Sequence, residues 1–157
     1  MTVVVGFSDG KSWSIGGDSG AFEEGGLYQL CAEPKVWKIG DTLIGGSGSF
    51  RTMEIAKKSG LSDPFSLRNH LIESNPGGEW NLLIVTKKNL YEIDDGFNII
   101  HLRDNYGAIG AGNFVAIGAL AVASQNKIDS EKAVRLALKV TVMHSTFAVP
   151  PFNVLKV

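Results

Sequence analysis

Thr2 has the clearest chemical potential in this chain, because it directly follows the initiator Met1 at the start of an apolar run. Removal of Met1 would leave the threonine hydroxyl and a free α-amine on one residue. A hydroxyl is a weak nucleophile, but a terminal amine with an ordinary pKa of about 7.7 to 8.0 can accept its proton near neutral pH. Thr2 could therefore serve as nucleophile and base without a histidine. The alternative is an ordinary translation start that leads into an edge strand.

Other residues that could take part in chemistry form no complete motif. The glycine-rich segments 45–48 and 110–112 each precede a predicted helix, where a phosphate could bind. The first lacks the ending of a P-loop, and the second has Val115 where a dinucleotide-binding fingerprint needs its third glycine. The three histidines and the lone Cys31 are too scattered for metal-ligand spacing. We therefore predict no nucleotide, no metal and no cofactor.

The composition indicates a compact unit with little attraction for polyanions. The 157 residues suffice for one domain, predicted over residues 1–157, and 44% of them are hydrophobic. The formal net charge of −1 offers no basic excess, so neither nucleic acid nor an anionic membrane surface is expected as a partner. The chain shows neither a signal-peptide pattern nor an apolar stretch long enough to span a bilayer. We expect a cytoplasmic location.

The elements that must position Thr2 follow from the hydrophobic periodicity and its interruptions. The first hairpin, around the turn at residues 9–10, would carry Thr2 at its start. Asp63 before Pro64 resembles an N-cap with a first-turn proline. The predicted elements are strands at 3–7, from 13, at 36–39 and at 42–46, helices at 49–58 and from 64, strands at 80–86, 90–93 and 97–102, helices at 113–125 and from a cap at Asp129 or Ser130, and a closing strand at 152–157, with an exposed loop at 22–26.

The order of these elements favours one fold class. Strands and helices fall into separate blocks and do not alternate one by one. Such blocks favour two antiparallel sheets between helical layers over an alternating parallel sheet. The predicted fold is α+β, a four-layer αββα sandwich.

Several short motifs resemble the proteasome β-subunit family of N-terminal-nucleophile hydrolases, which includes the bacterial HslV-type protease subunits. The resemblance runs from Thr2 to the last strand, and the motifs are specific only together. They are Thr-Val-Val-Val-Gly at 2–6 with the turn at 9–10, Gly-Gly-Asp-Ser at 16–19, Glu-Pro-Lys-Val-Trp-Lys-Ile at 33–39, Ile-Gly-Gly-Ser-Gly at 44–48 and Tyr-Gly-Ala-Ile-Gly-Ala-Gly at 106–112.

The resemblance implies a site for peptide-bond hydrolysis. It makes Thr2 the nucleophile and Lys35 a nearby cation that lowers the pKa of the α-amine. It makes Asp18 the carboxylate that holds the lysine, and the backbone N–H of Gly46 the donor to an oxyanion. Without the family, Asp18 reads as a turn carboxylate and Lys35 as a solvated strand lysine.

Two features depart from the family's pattern. Ala111 stands where the family has a serine whose hydroxyl helps to orient the terminal amine. The family also tends to place an aspartate before its final strand, but residues 143–149 contain no acid. His144 could stand in, although a histidine at a helix end is more often a favourable C-terminal charge.

The sequence leaves two functions open. The first is a threonine peptidase subunit that cleaves peptide substrates inside a homo-oligomeric ring, with an ATP-dependent unfoldase as partner. The second is a catalytically silent structural or assembly protein that retains Met1, such as a bacteriophage virion component. The second function would place the chain in the virion.

Overall fold

The computed structural model describes residues 2–22, 28–146 and 148–157. In that part of the chain, strands and helices follow one another in separate blocks, as the sequence predicts. The strands are β1 Val4–Ser8, β2 Trp13–Gly17, β3 Gly20–Phe22, β4 Tyr28–Leu30, β5 Val36–Ile39, β6 Thr42–Gly48, β7 Trp80–Val85, β8 Leu90–Asp94, β9 Ile99–Leu102, β10 Tyr106–Ile109 and β11 Asn153–Lys156. The helices are α1 Phe50–Ser59, α2 Pro64–Ser74, α3 Asn113–Gln125 and α4 Ser130–His144.

These strands form two large sheets and one short ribbon, and all of their pairings are antiparallel. The first sheet has the order β10-β1-β2-β11, and the second has the order β5-β6-β7-β8-β9. In the opening hairpin, Val4 pairs with Gly17 and Ser8 pairs with Trp13. The predicted closing strand is present as β11, and it joins the outer side of β2. The ribbon consists of β3 and β4.

Three apolar clusters stack between four layers. One lies between the first sheet and the pair α3 and α4, and includes Val5 and Leu138. The middle cluster joins the two sheets through residues such as Val4 and Leu83. The third packs the second sheet against α1 and α2. The predicted αββα sandwich is confirmed, and no helix of the described residues is long and apolar enough to cross a bilayer.

Capping side chains set the starts of three helices. Ser49 caps α1, and the Asp63 carboxylate accepts from the Ser66 amide at 2.8 Å at the start of α2. Asp129 caps α4, which decides between the two predicted capping residues. Helix α3 has no side-chain cap and follows Gly112 directly.

Asp9 fastens the opening hairpin to the start of α4. Its carboxylate accepts hydrogen bonds from the amides of Lys11, Ser12 and Ser130. Burial alone would raise the pKa of Asp9, but these backbone hydrogen bonds outweigh it and lower the pKa to about 2. The hairpin that carries Thr2 is thereby fixed to the helical layer.

The structure adds elements that the sequence analysis did not predict. The β3–β4 ribbon is new, whereas β10 lies in the motif at 106–112, whose resemblance implied a strand that leads into a helix. Strand β6 continues to Gly48, two residues beyond the predicted end. The exposed loop predicted at 22–26 begins at the last residue of β3, and its remainder lies outside the described residues.

Candidate active site

The Lys35 ammonium group lies at the centre of a buried cluster of polar groups. Its Nζ donates to Thr2 Oγ1 at 2.8 Å, to Asp18 Oδ1 at 2.8 Å, and to the carbonyl oxygen of Gly20. A lysine ammonium has three N–H donors, so these three acceptors match its full capacity. Lys35 is 1% exposed, because it enters the core just before β5.

The Asp18 carboxylate holds this cation and ties three backbone segments together. Its Oδ1 accepts from the Val3 amide at 3.1 Å, and its Oδ2 accepts from the amides of Gly20 at 2.9 Å and Val149 at 3.3 Å. Asp18 is fully buried, so the charge would be costly without these donors and the ion pair with Lys35. The first strand, the β2–β3 connection and the segment before β11 therefore meet at one carboxylate.

The turn between β10 and α3 fixes the backbone of Thr2. The Gly112 amide donates to the Thr2 carbonyl oxygen at 3.3 Å. Gly110 has a φ of +88°, and a Cβ atom there would collide with the same carbonyl oxygen. Only glycine accommodates both the left-handed backbone and the close approach. Thr2 itself is 6% exposed.

A cavity of about 420 Å³ opens beside Thr2. Ser47 and Gly48 at the end of β6 line one part of it, and residues 109–111 with Asn113 line another. None of the three histidines, all of which are described, contributes to its lining. A reacting group in this cavity would therefore meet the Thr2 hydroxyl without a histidine base.

The layer between the sheets changes from apolar to polar at this cavity. On β7, Asn81 lies two residues before the buried Leu83 on the face toward the first sheet, and on β8, Glu92 lies two residues after the buried Leu90. Asn81 Nδ2 donates to Glu92 Oε1 at 2.8 Å. Burial raises the pKa of Glu92, the hydrogen bond from Asn81 lowers it in part, and the charge of Asp94 raises it further.

A second cavity, of about 460 Å³, adjoins Lys35. Pro34, Phe50 and Met53 give it apolar walls, and Glu54 and Lys57 lie among its charged lining residues. Lys35, which lines this second cavity, is hydrogen bonded to Thr2, which lines the first.

The structure brings three of the four predicted site residues together. Thr2, Asp18 and Lys35 form the hydrogen-bonded cluster, so the readings of Asp18 as a turn carboxylate and of Lys35 as a solvated lysine do not hold. The Gly46 amide instead donates to the Lys35 carbonyl oxygen at 2.9 Å. That bond argues against Gly46 as the oxyanion donor. Glycine is needed there because a Cβ would collide with Met53 of α1.

The two departures from the family's pattern have different places in the structure. Ala111 lines the cavity beside Thr2, so a hydroxyl at this position would have faced the site. His144 ends α4, is exposed, and does not line the cavity. Its position matches a favourable charge at a helix C-terminus.

Sequence reasoning missed several residues of this site. Gly110 and Gly112, which hold the Thr2 backbone, belonged to a recognised motif but had no role. Gly48 lies two residues beyond Gly46, the oxyanion donor that the resemblance implies. One sequence signal could have indicated three further residues: each is a polar residue on the inward face of a strand that is otherwise apolar on that face. These residues are Ser47, Asn81 and Glu92.

Comparison with known proteins supports the fold. No protein-family model matches the chain, and no curated protein matches its sequence. A BPH structure from Thiobacillus denitrificans matches with a TM-score of 0.82 and 17% identity over 99% of this chain and 97% of that chain. BPH in complex with epoxomicin gives a TM-score of 0.81 and 18% identity over 100% and 98% of the two chains. Eukaryotic HslV from Trypanosoma brucei matches with a TM-score of 0.81 and 22% identity over 99% of this chain and 98% of that chain. The chain has the HslV fold, as the sequence resemblance implied.

Proposed function

We propose that this chain is a threonine peptidase that uses Thr2 as its nucleophile once Met1 has been removed. The observation that carries the proposal is the hydrogen bond of 2.8 Å from the buried Lys35 ammonium to Thr2 Oγ1. A cation at this distance stabilises the negative charge that develops when the hydroxyl loses its proton. Asp18 holds the cation in place, so the three residues form a preorganised unit.

The reaction follows from these positions. The free α-amine of Thr2 accepts the hydroxyl proton, and Oγ1 attacks the scissile carbonyl carbon to give a tetrahedral intermediate. The intermediate collapses as the amine returns the proton to the leaving nitrogen, which releases one peptide fragment and leaves an ester on Thr2. Water, deprotonated by the same amine, then attacks the ester and releases the second fragment as an acid.

We assign the oxyanion donor to the amide of Gly48. N–H groups two residues apart in a strand point toward the same edge, and the Gly46 amide points to the Lys35 carbonyl just before β5 begins. The residue opposite Gly48 comes before the first residue of β5, so the Gly48 amide lies past the end of the pairing between β5 and β6. Gly48 also lines the cavity beside Thr2. A donor of this kind is worth about 3 to 4 kcal/mol in the transition state.

The proposed working form is a homo-oligomeric ring that encloses the site. Phe114 and Met143 are 86% and 75% exposed, and both belong to the outer helical layer. Gly112 packs on the Thr141 side chain, so the antiparallel helices bring Phe114 and Met143 to one end of the layer. Large exposed apolar side chains of this kind favour a protein interface.

The charge of α3 is consistent with a second copy as the partner at this face. The helix contains no charged residue between Asn113 and Gln125, so this helix can pack against a second copy of the chain without like-charge repulsion from its own side chains. The unfoldase partner, the cytoplasmic location and the single domain over 1–157 stay predictions.

Hydrolysis of an unfolded protein substrate tests the peptidase. The wild-type chain should cleave denatured casein, Thr2→Ala should not, and Thr2→Ser should retain cleavage because it keeps both a hydroxyl and an amine. Cleavage that persists in Thr2→Ala would remove Thr2 from the mechanism. A wild-type chain that retains Met1 and cleaves nothing would favour the catalytically silent alternative.

The pH dependence tests the role of Lys35. Lys35→Ala should move the pH profile of acylation by a β-lactone upward, because the α-amine would lose a neighbouring cation. The same profile in both proteins would exclude Lys35 as the group that tunes the amine. Epoxomicin, which is bound in one of the similar structures, is a second probe of the same site.

A further inference from the structure

Among the described side chains that line the cavity beside Thr2, the charged ones are all acidic. Glu79 and Glu92 contribute carboxylates to it, and no lysine, arginine or histidine is among its described lining residues. Glu92 accepts a hydrogen bond from the neutral Asn81 side chain, and no ion pair involves it in the described part of the chain. Asp94 adds further negative potential. A half-buried carboxylate without a cation is costly, so its place beside the nucleophile calls for a reason.

A second observation at the same cavity concerns Ser47. This residue is 3% exposed and lines the cavity from the end of β6. Its neighbour two residues earlier, Gly45, faces Val4 of the first sheet, so the alternation of the strand turns Ser47 toward the same side. Within the described residues, its hydroxyl has no hydrogen-bond partner. The hydroxyl opens onto the cavity and is not among the fully buried polar atoms that lack a partner, so a ligand bound there can form a hydrogen bond with it.

We propose that this cavity binds the cationic side chain of a lysine or arginine next to the scissile bond of a peptide substrate. The inference rests on the proposed peptidase function and names the class of substrate for it. Glu92 provides the main charge, Glu79 adds to it at the exposed rim, and Ser47 accepts a hydrogen bond from the ammonium or guanidinium group. The volume of about 420 Å³ accommodates a long basic side chain.

A binding experiment tests the cavity without requiring turnover. N-acetyl-lysine N-methylamide and its norleucine counterpart have side chains of similar length and differ by the ammonium group. Backbone amide shifts of Ser47, Asn81 and Glu92 in the full chain report binding of each probe. The lysine probe should bind at least about tenfold more tightly, as expected for a desolvated charge pair.

Glu92→Gln supplies the decisive variant. The amide keeps the shape and can still accept from Asn81, and a neutral group is cheaper to bury than a carboxylate, so the variant should fold. It should reduce the preference for lysine to within about twofold. Glu73→Gln removes one charge from an exposed position on α2 and should keep the full preference. Equal preference in Glu92→Gln and the wild type would overturn the proposal.

Turnover separates this inference from the peptidase proposal. Capped octapeptide pairs, with lysine or norleucine at each position in turn, are offered to the wild type and to Glu92→Gln. Cleavage with at least about tenfold higher kcat/KM for lysine at one position, lost in Glu92→Gln, supports both proposals. Cleavage without any such preference overturns the inference and leaves the peptidase standing. Lysine-selective binding without cleavage of any peptide would refute the peptidase and keep the cationic site.

Discussion

Replacing Asp18 by asparagine tests whether one buried ion pair holds the candidate site together. Asp18 and Lys35 are 0% and 1% exposed, so the substitution would leave a buried ammonium without its counter-charge. Breaking such a pair from one side costs about 3 to 5 kcal/mol. The asparagine would also turn an NH₂ group toward backbone amides of Val3, Gly20 or Val149 that now donate to the carboxylate. We therefore expect the free energy of unfolding to fall by at least that amount.

The partner substitution and the double variant show whether the loss is due to coupling. Lys35→Met leaves Asp18 with three backbone donors, so its cost should be smaller, about 1 to 3 kcal/mol. The double variant Asp18→Asn/Lys35→Met buries no charge at this place. Its loss should be at least about 2 kcal/mol smaller than the two single losses combined.

Urea unfolding at pH 7, followed by tryptophan fluorescence, measures these differences, because all three tryptophans are buried. Glu54→Gln is the matched control, since it breaks an ion pair with Lys58 whose side chains are 63% and 75% exposed. That variant should match the wild type. Additive losses, or an Asp18→Asn variant within about 1 kcal/mol of the wild type, would refute this account of the site.

Three further predictions concern other parts of the molecule. Asp9→Asn should lower the free energy of unfolding at pH 7 by about 1 to 2 kcal/mol, after allowance for the partial exposure of Asp9, because the pKa of this carboxyl is lowered to about 2 in the folded state. This stabilisation is lost as the pH falls from about 4 through 2, so the acid unfolding curves of the two proteins should converge there. Gly48→Ala should lower the free energy of unfolding in urea by more than about 1 kcal/mol, because a φ of +84° and the Glu79 carbonyl oxygen both oppose a Cβ atom. The same substitution should slow acylation by the β-lactone. Unchanged stability and an unchanged rate would contradict the assigned geometry. Phe114→Glu should shift the mass observed in native mass spectrometry toward that of the monomer. Phe65→Glu, at a 54% exposed position on α2, is the control and should not shift it. Equal effects of the two substitutions would show that the α3 face is not part of the interface.

The sequence predicted most elements of the fold because their signals are local. Asp63 with Pro64 and Asp129 mark helix starts through hydrogen bonds within one turn of chain. The β3–β4 ribbon was missed because three-residue strands have no measurable periodicity. Strand β10 was implied only by the resemblance of the motif at 106–112, because its four residues are too few for a periodic signal.

The candidate site was predictable only where single residue types decide it. Thr2, Asp18 and Lys35 could be chosen by type and motif, and the structure brings them together. The oxyanion donor depends instead on where β5 begins beside β6, which sets whether an amide of β6 is already hydrogen bonded. Glu92 belongs to the site because the second sheet turns that face toward Thr2; the local pattern marks Glu92 as a polar residue on an apolar face but does not place it beside Thr2.

The state of Thr2 after treatment with a β-lactone probe tests the central claim most directly. Intact mass and peptide mapping of the purified wild-type chain should show that Met1 is absent and that one probe molecule is bound as an ester at Thr2, with no labelling of Thr2→Ala. A chain that retains Met1, or an adduct that maps to another residue and persists in Thr2→Ala, would contradict the account.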